Sequence, residues 1–201
     1  MSYSQFTTIS KAKAAFNLTT VEGDRFLPEI APISPSQILS GYLQESLPIV
    51  ATSGSEKARS EAIIYPVLLE LRRILNRNVS LFSGEDFNVD EAAGLNGICD
   101  FLISRSASVL EIEAPVVVVV EAKKTDLKTG FGQCIAEMVA AQRFNDAKEK
   151  LVTTIYGSVS NGIQWQFLKL EKQTVTIDLS VYPLPPVEQI LGFLVWMVQE
   201  G

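Results

Sequence analysis

The sequence predicts an α/β fold, a mixed β-sheet covered by helices, and three observations predict it. Five consecutive valines, Val116 to Val120, have the pattern of a strand buried on both faces and central in a sheet. Residues 56 to 76 repeat their apolar side chains at helical spacing, whereas residues 79 to 106 alternate like strands. Along the chain these patterns succeed one another as helix, three strands, helix, three strands and helix, an order that layers helices over one sheet.

Each element has its own signal. Residues 1 to 33 are mixed, and the turn-rich "LPEIAPISPS" leads into a short helix predicted from Ser36 to Ser46, after Pro35 and ended by Pro48. The loop "ATSGS" offers Ser53 or Ser55 as a helix N-cap, with Glu56 three residues after Ser53 as in a capping box. From Glu56 to about Asn76, the residues Ile64, Val67, Leu68, Leu71 and Leu75 form one stripe. Pro66 lies inside that stripe and predicts a kink or a later start of regular helix. "VSLFSGEDFNV" and "LNGICDFLISRS" then read as strands separated by the polar "DEAAG", and the valine strand follows. "GFGQCIAEMVAAQRFNDAKEK" is a helix with lysines in its last turn. "LVTTIYGSV", "IQWQFLKLE" and "TVTIDLSVY" are strands, the first two joined at Ser160-Asn161-Gly162, a hairpin signal. "LPPVEQILGFLVWMV" closes the chain as a helix, with Pro186 suited to its first turn.

Composition narrows the chemistry. With 201 residues and 47% hydrophobic content, residues 1–201 are expected to form one domain: an N-terminal extension (1–52), a core carrying the motifs (53–160), and C-terminal strands and helix (161–201). A net charge of −6 argues against a surface that grips nucleic acid everywhere, though not against a local basic groove. There is no histidine, which excludes Ser-His-Asp and Cys-His nucleophiles, histidine bases and His-ligated zinc. Chemistry falls to carboxylates, lysine, arginine, tyrosine or a hard metal on oxygen ligands. Cys99 and Cys134 lie in apolar surroundings without zinc-site spacing and read as buried free thiols. No signal-peptide core is present, and "APVVVVV" and "ILGFLVWMV" fall far short of the ~20 residues of a spanning helix. A soluble, cytoplasmic protein with no membrane partner is expected.

The valine strand ends at once in Glu121-Ala122-Lys123. Strand alternation puts Glu121 and Lys123 on one face. By itself such a pair is most often a solvated salt bridge. Asp100, however, is a charge embedded in the apolar "GICDFLI" of the preceding strand, where an unpaired carboxylate is costly. If the two strands are neighbours, Asp100 and Glu121 converge within reach of one ion. Two carboxylates and a backbone carbonyl make a hard oxygen site for Mg²⁺. Lys123 beside it can hold a polarised water ready to attack phosphorus.

These residues resemble the PD-(D/E)xK nuclease superfamily, in which an acid on a first core helix precedes an Asp on the second strand and (D/E)-x-K on the third. A helix with a further polar residue often follows. Asp100, Glu121-Ala122-Lys123 and Gln133 match that pattern over roughly residues 53 to 160. "SEKARSEAIIYPVLLELRR" is similar to the N-terminal nuclease domain of type I restriction enzyme motor subunits, whose later Gln-x-x-x-Tyr motif has Glu137 in the tyrosine's place here. No Gly-rich phosphate loop is present, so no motor is expected.

The resemblance implies a restriction-endonuclease-like core and Mg²⁺-dependent cleavage of DNA, with Mn²⁺ as a substitute, leaving a 5′-phosphate. Asp100, Glu121 and the Ala122 carbonyl would ligate the metal, and Lys123 would orient the water. The first-helix acid is Glu61 or Glu56. Glu61 lies within about 50° of the apolar stripe on a helical wheel and so faces the sheet, whereas the family spacing before the proline suits Glu56. Gln133 would steady the substrate phosphate or Lys123. Lys124, Lys128 and Arg105 are candidates for phosphate contacts, and both tryptophans read as core. Relatives often cut as dimers; a homodimer would pair through the C-terminal helix, or a partner subunit would assist. A catalytically weak binding or assembly module, and a structural domain whose charges pair with one another, are the alternatives.

Overall fold

The computed structural model describes residues 2–23, 25–52 and 55–200. Its helices are α1 (Ile9–Phe16), α2 (Gln37–Thr52), α3 (Glu56–Arg59), α4 (Tyr65–Ile74), α5 (Phe131–Ala147) and α6 (Glu188–Glu200). Its strands are β1 (Thr19–Gly23), β2 (Ser80–Asp86), β3 (Ile98–Ser104), β4 (Val116–Ala122), β5 (Ile155–Ser160), β6 (Gln164–Glu171), β7 (Thr174–Asp178) and β8 (Tyr182–Pro183). The strands form one sheet in the order β1-β7-β6-β5-β4-β3-β2, with β8 beside β6. β4 is parallel to β5 and β1 to β7, and the other neighbours are antiparallel. The chain is thus α/β, with a mixed eight-stranded sheet flanked by helices.

Valine favours extended backbone because its branched Cβ fits a pleated surface, and every residue of β4 is buried between β3 and β5. One face of the sheet is covered by α2, α4 and α6 around Phe101, Val118, Val120 and Phe193. The other is covered by α1 and α5 around Leu102, Val119, Ile135 and Met138. Buried Asn145 of α5 clamps the start of β4. Its Oδ1 accepts the Val116 N–H at 2.8 Å and its Nδ2 donates to the Val116 carbonyl at 2.7 Å.

The helix expected from Glu56 is one rod with an internal irregularity. Ser55 caps it, accepting the Ala58 N–H at 3.3 Å; Ser53 lies outside the described residues. From Ser60 to Ile64 it widens into a π-turn, with the Tyr65 N–H bonded to the Ser60 carbonyl. Pro66 supplies the reason. It lacks an N–H for the Ala62 carbonyl and its ring crowds that oxygen, and the wider turn absorbs both effects before α4 continues.

Several expectations are corrected. α2 runs through Pro48 to Thr52 instead of stopping there. Pro48 sits on the solvent side, where the carbonyl it leaves unbonded meets water, while Leu43 and Val50 on the opposite side are buried. α6 begins at Glu188, so Pro186 precedes it. That helix is apolar nearly all round and closes the core, with Ile190, Leu191, Phe193, Leu194, Met197 and Val198 buried. The N-terminal segment also belongs to the fold. Tyr3 is buried and donates to the Phe87 carbonyl at 2.6 Å, and β1 extends the sheet beside β7.

The N-terminal segment rests on α5 where Gly132 has no side chain. A Cβ at that position would stand 2.6 Å from the Thr8 carbonyl oxygen and also meet the Phe6 carbonyl. Gly132→Ala is therefore expected to lower the unfolding free energy by about 1–3 kcal/mol in a denaturant titration. An unchanged midpoint would mean that the N-terminal segment does not pack on α5.

Candidate active site

Pairing of Phe101 with Val120 places Asp100 across from Glu121, where β3 begins and β4 ends. Asp100 Oδ2 accepts the Ala122 N–H at 2.8 Å, so the embedded aspartate is anchored on the neighbouring strand's backbone. The N–H and C=O of one strand residue face the same neighbour, which directs the Ala122 carbonyl toward the Asp100 side. The Lys123 N–H bonds the Ser160 carbonyl at 2.8 Å and carries the pairing with β5 one residue beyond the strand. Glu121 and Lys123 share a face, and the Lys123 ammonium is paired with Glu121 Oε1. The Lys123 stem crosses Gly130, where a Cβ would lie 3.0 Å from Lys123 Cγ.

Burial dominates the electrostatics. It pushes the Glu121 carboxyl up to about 8, helped by the Asp100 charge and opposed by Lys123. Asp100 is raised as well, chiefly by desolvation and against the Ala122 N–H. For Lys123 burial acts downward, but the charge and hydrogen bond of Glu121, with Glu56 and Asp100, outweigh it and hold the ammonium raised.

Glu137 is the member that sequence reasoning did not place in the site. It is 0% exposed on α5, and burial followed by the Glu121 charge holds its carboxyl well above the ordinary range. Gln133 donates from Nε2 to Glu137 Oε1 at 3.1 Å, so its amide is used one helical turn along and not on Lys123. As ionised carboxylates, both Glu121 and Glu137 would leave a buried Oε2 without a protein partner. A proton held by Glu137 and donated to Glu121 satisfies both. The signal was present in the sequence: an acid inside "CIAEMVAA", four residues after Gln133, on a helix otherwise built of small apolar residues.

A cleft of about 250 Å³ opens in front of Asp100 and Ala122, lined also by Ser83, Gly84, Glu56 and Glu61. The expectation that Glu61 faces the sheet is overturned. Its side chain is 67% exposed and lies 3.7 Å from Lys57 at the cleft's outer wall. The wheel assumed 100° per residue, and the π-turn that starts at Ser60 breaks that rule. Glu56 is the first-helix acid whose charge acts on both Asp100 and Lys123.

Arg105 is also corrected. It follows Ser104, which pairs with Val116 at the far end of β4, roughly 16 Å of strand from Glu121. Lys124 and Lys128 are exposed on the loop that leaves β4. Trp165 is fully buried and Trp196 packs edge-on against Tyr156 at 5.4 Å, so both tryptophans have the expected core role. Both cysteines are buried free thiols. Asn161 does more than mark a hairpin. Its Nδ2 holds the Thr125 carbonyl at 3.0 Å, while its own carbonyl accepts from Arg59 Nη1 at 3.2 Å, tying the loop after β4 to α3.

Among the described residues no three acidic or cysteine side chains are grouped in ligating geometry. Asp100, Glu56 and Ala122 line one cleft, and Glu121 lies across the strand pair from Asp100. All offer hard oxygen donors, and that chemistry suits Mg²⁺. No helix among the described residues is long and apolar enough to cross a membrane. Compared with known family models and with curated proteins, the chain matches none.

The buried carboxyls make stability depend on pH with a definite sign. Acids whose folded values are raised above the unfolded 4.5 stabilise fully below it, and that contribution is lost as pH rises through the folded value. The melting temperature is expected to fall between about pH 5 and pH 8 as the unfolded chain ionises ahead of the folded one. Glu137→Gln keeps a donor for Glu121 and should flatten this decline and raise the melting temperature near pH 8. A variant with the wild-type slope would place the proton elsewhere.

Proposed function

We propose that the chain is a Mg²⁺-dependent DNA endonuclease of the PD-(D/E)xK type with a restriction-endonuclease-like core, acting in the cytoplasm. The observation that carries this reading is the meeting of Asp100, on the second strand of the β2-β3-β4 meander, with Glu121 and Lys123 at the end of the third. Glu56 reaches the same place from the preceding helix, and Gln133 stands on the helix that follows. That order is the one the resemblance expects.

A divalent cation held by Asp100, Glu121 and the Ala122 carbonyl would supply Lewis-acid charge at the scissile phosphate. The residues do the rest. Lys123, as an ammonium, donates hydrogen bonds to the attacking water oxygen and to phosphate oxygens and offsets their growing charge. It has no lone pair and is not the base. Glu56 faces the cleft and accepts a hydrogen bond from the water, which fixes its orientation. The water oxygen bonds to phosphorus, the P–O3′ bond breaks, the water's proton passes to solvent, and the 3′ oxygen takes a proton from solvent. A 5′-phosphate and a 3′-hydroxyl result.

One observation favours the assembly-module alternative: Lys123 is already engaged by Glu121, a pair that a structural domain would also keep. Nicking of supercoiled plasmid in Mg²⁺ or Mn²⁺ separates the two readings. Cleavage should be abolished by chelation and lowered about a hundredfold or more in Asp100→Asn and in Lys123→Gln, with thermal melts checking that each variant folds. Absence of cleavage, with Mg²⁺ binding by calorimetry that Asp100→Asn removes, would favour the module. Absence of both would leave a structural ion pair.

A further inference from the structure

Beside the Asp100 cleft, between α2 and α4, lies a groove with about 490 Å³ of open space. Resting on the nuclease reading above, we propose that this groove holds an unpaired segment of the substrate strand, so that the preferred DNA carries a single-stranded tail next to the scissile bond.

Continuity comes first. Glu61 lines both the groove and the catalytic cleft, so a strand leaving Asp100 past α3 enters the groove directly. The groove also presents flat aromatic surface. Tyr42 of α2 is 45% exposed and Tyr65 of α4 is 39% exposed. Tyr65 is anchored from behind by Phe101, 6.5 Å between ring centres, which leaves it a supported platform. Ile38 and Leu69 are exposed apolar neighbours on the same walls. Bases stack on such surfaces whatever their identity, because each has a π-face.

Charge is the third observation. The chain carries −6 overall, yet Arg72, Arg73 and Arg77 gather at one end of the groove. Arg73 is spent on Glu70, with bonds of 2.9 and 2.7 Å, and Arg72 uses Nε on the Val79 carbonyl at 3.0 Å. The terminal nitrogens of Arg72 and the whole Arg77 guanidinium have no hydrogen bond or ion pair among the described residues. They stand where phosphates of a stacked strand would run, and arginine pairs with phosphate through two parallel N–H bonds. The exposed rings select a single strand. A duplex keeps its base faces stacked inside and cannot offer them to Tyr42 and Tyr65, whereas a cavity of this size takes one or two bases.

The test is fluorescence anisotropy in a chelator, so that nothing is cut, using a blunt duplex, the same duplex with an oligothymidylate tail, and the tail alone. The tailed duplex is expected to bind about tenfold more tightly than the blunt one. Tyr42→Ala and Arg77→Glu should each erase about fivefold or more of that difference, and the advantage should shrink with added salt. Both side chains are exposed, so neither variant threatens the fold. Equal binding of blunt and tailed DNA, no binding of either, or a preference untouched by both variants would overturn the proposal. So would protection of the groove by a protein that Tyr42→Ala releases. Asp100-dependent cleavage without tail preference sinks the groove alone. Tail binding that needs Tyr42 and Arg77, with no metal-dependent cleavage, sinks the nuclease reading and leaves the groove standing.

Discussion

A strand with no water on either face is the constraint from which the rest of the molecule follows. Along Val116–Ala122 each N–H and C=O must find a partner on β3 or β5, since an unpaired buried peptide group costs about 1–3 kcal/mol. Pairing satisfies the strand's length. Its two ends need side chains. Asn145 supplies both a donor and an acceptor at Val116, and the Asp100 carboxylate takes the Ala122 N–H at the other end. The residue that resembles a catalytic ligand is therefore also the terminator of the central strand.

Glu121 inherits a harder problem. A carboxyl with no exposure is stable only with neighbours that meet its charge or its proton, and here Lys123 does the first and Glu137 the second. Gln133 in turn holds Glu137. Around this polar chain the packing is tight. Gly130 and Gly132 let α5 approach the lysine stem and the N-terminal segment. Asn161 binds the loop after β4 and reaches Arg59 of α3, so the elements bordering the cleft are tied to one another at their ends. Gly162 completes that turn at φ +88, a backbone conformation that β-carbons resist.

The legible part of this structure was the part written in period. Valine repetition exposed β4, alternation exposed β2, β3, β5, β6 and β7, and the charge embedded beside Phe101 drew attention to Asp100. The illegible part depended on contacts between distant segments. β1 has only half a face to bury at a sheet edge, so its alternation is weak. Glu137 stood out only as an acid among small apolar residues, and the packing of α5 on β4 is what makes it a neighbour of Glu121. Arg105 looked close to Asp100 along the chain but runs away from it along the strand. Pro48 was read as a helix end because proline removes a hydrogen bond, yet it is placed toward water and α2 continues. Pro66 was read as a kink or a later start, and regular helix does begin beside it, at Tyr65, behind the widened turn.

That widened turn has a consequence for geometry. A helix repeats every 3.6 residues, so one residue added inside it rotates everything upstream by about 100° relative to everything downstream. Ser60–Ile64 makes such an offset while the backbone bonding continues. It lets α4 keep Val67, Leu68 and Leu71 against the sheet and lets α3 aim Glu56 at the cleft, two azimuths that a uniform helix would not serve together. Core and cleft are thus set in independent phase along one rod. Loss of a single residue from that turn would leave the hydrophobic seam of α4 in place and swing the acid away from the carboxylates it faces. Chain length at this point tunes the site without tuning the fold.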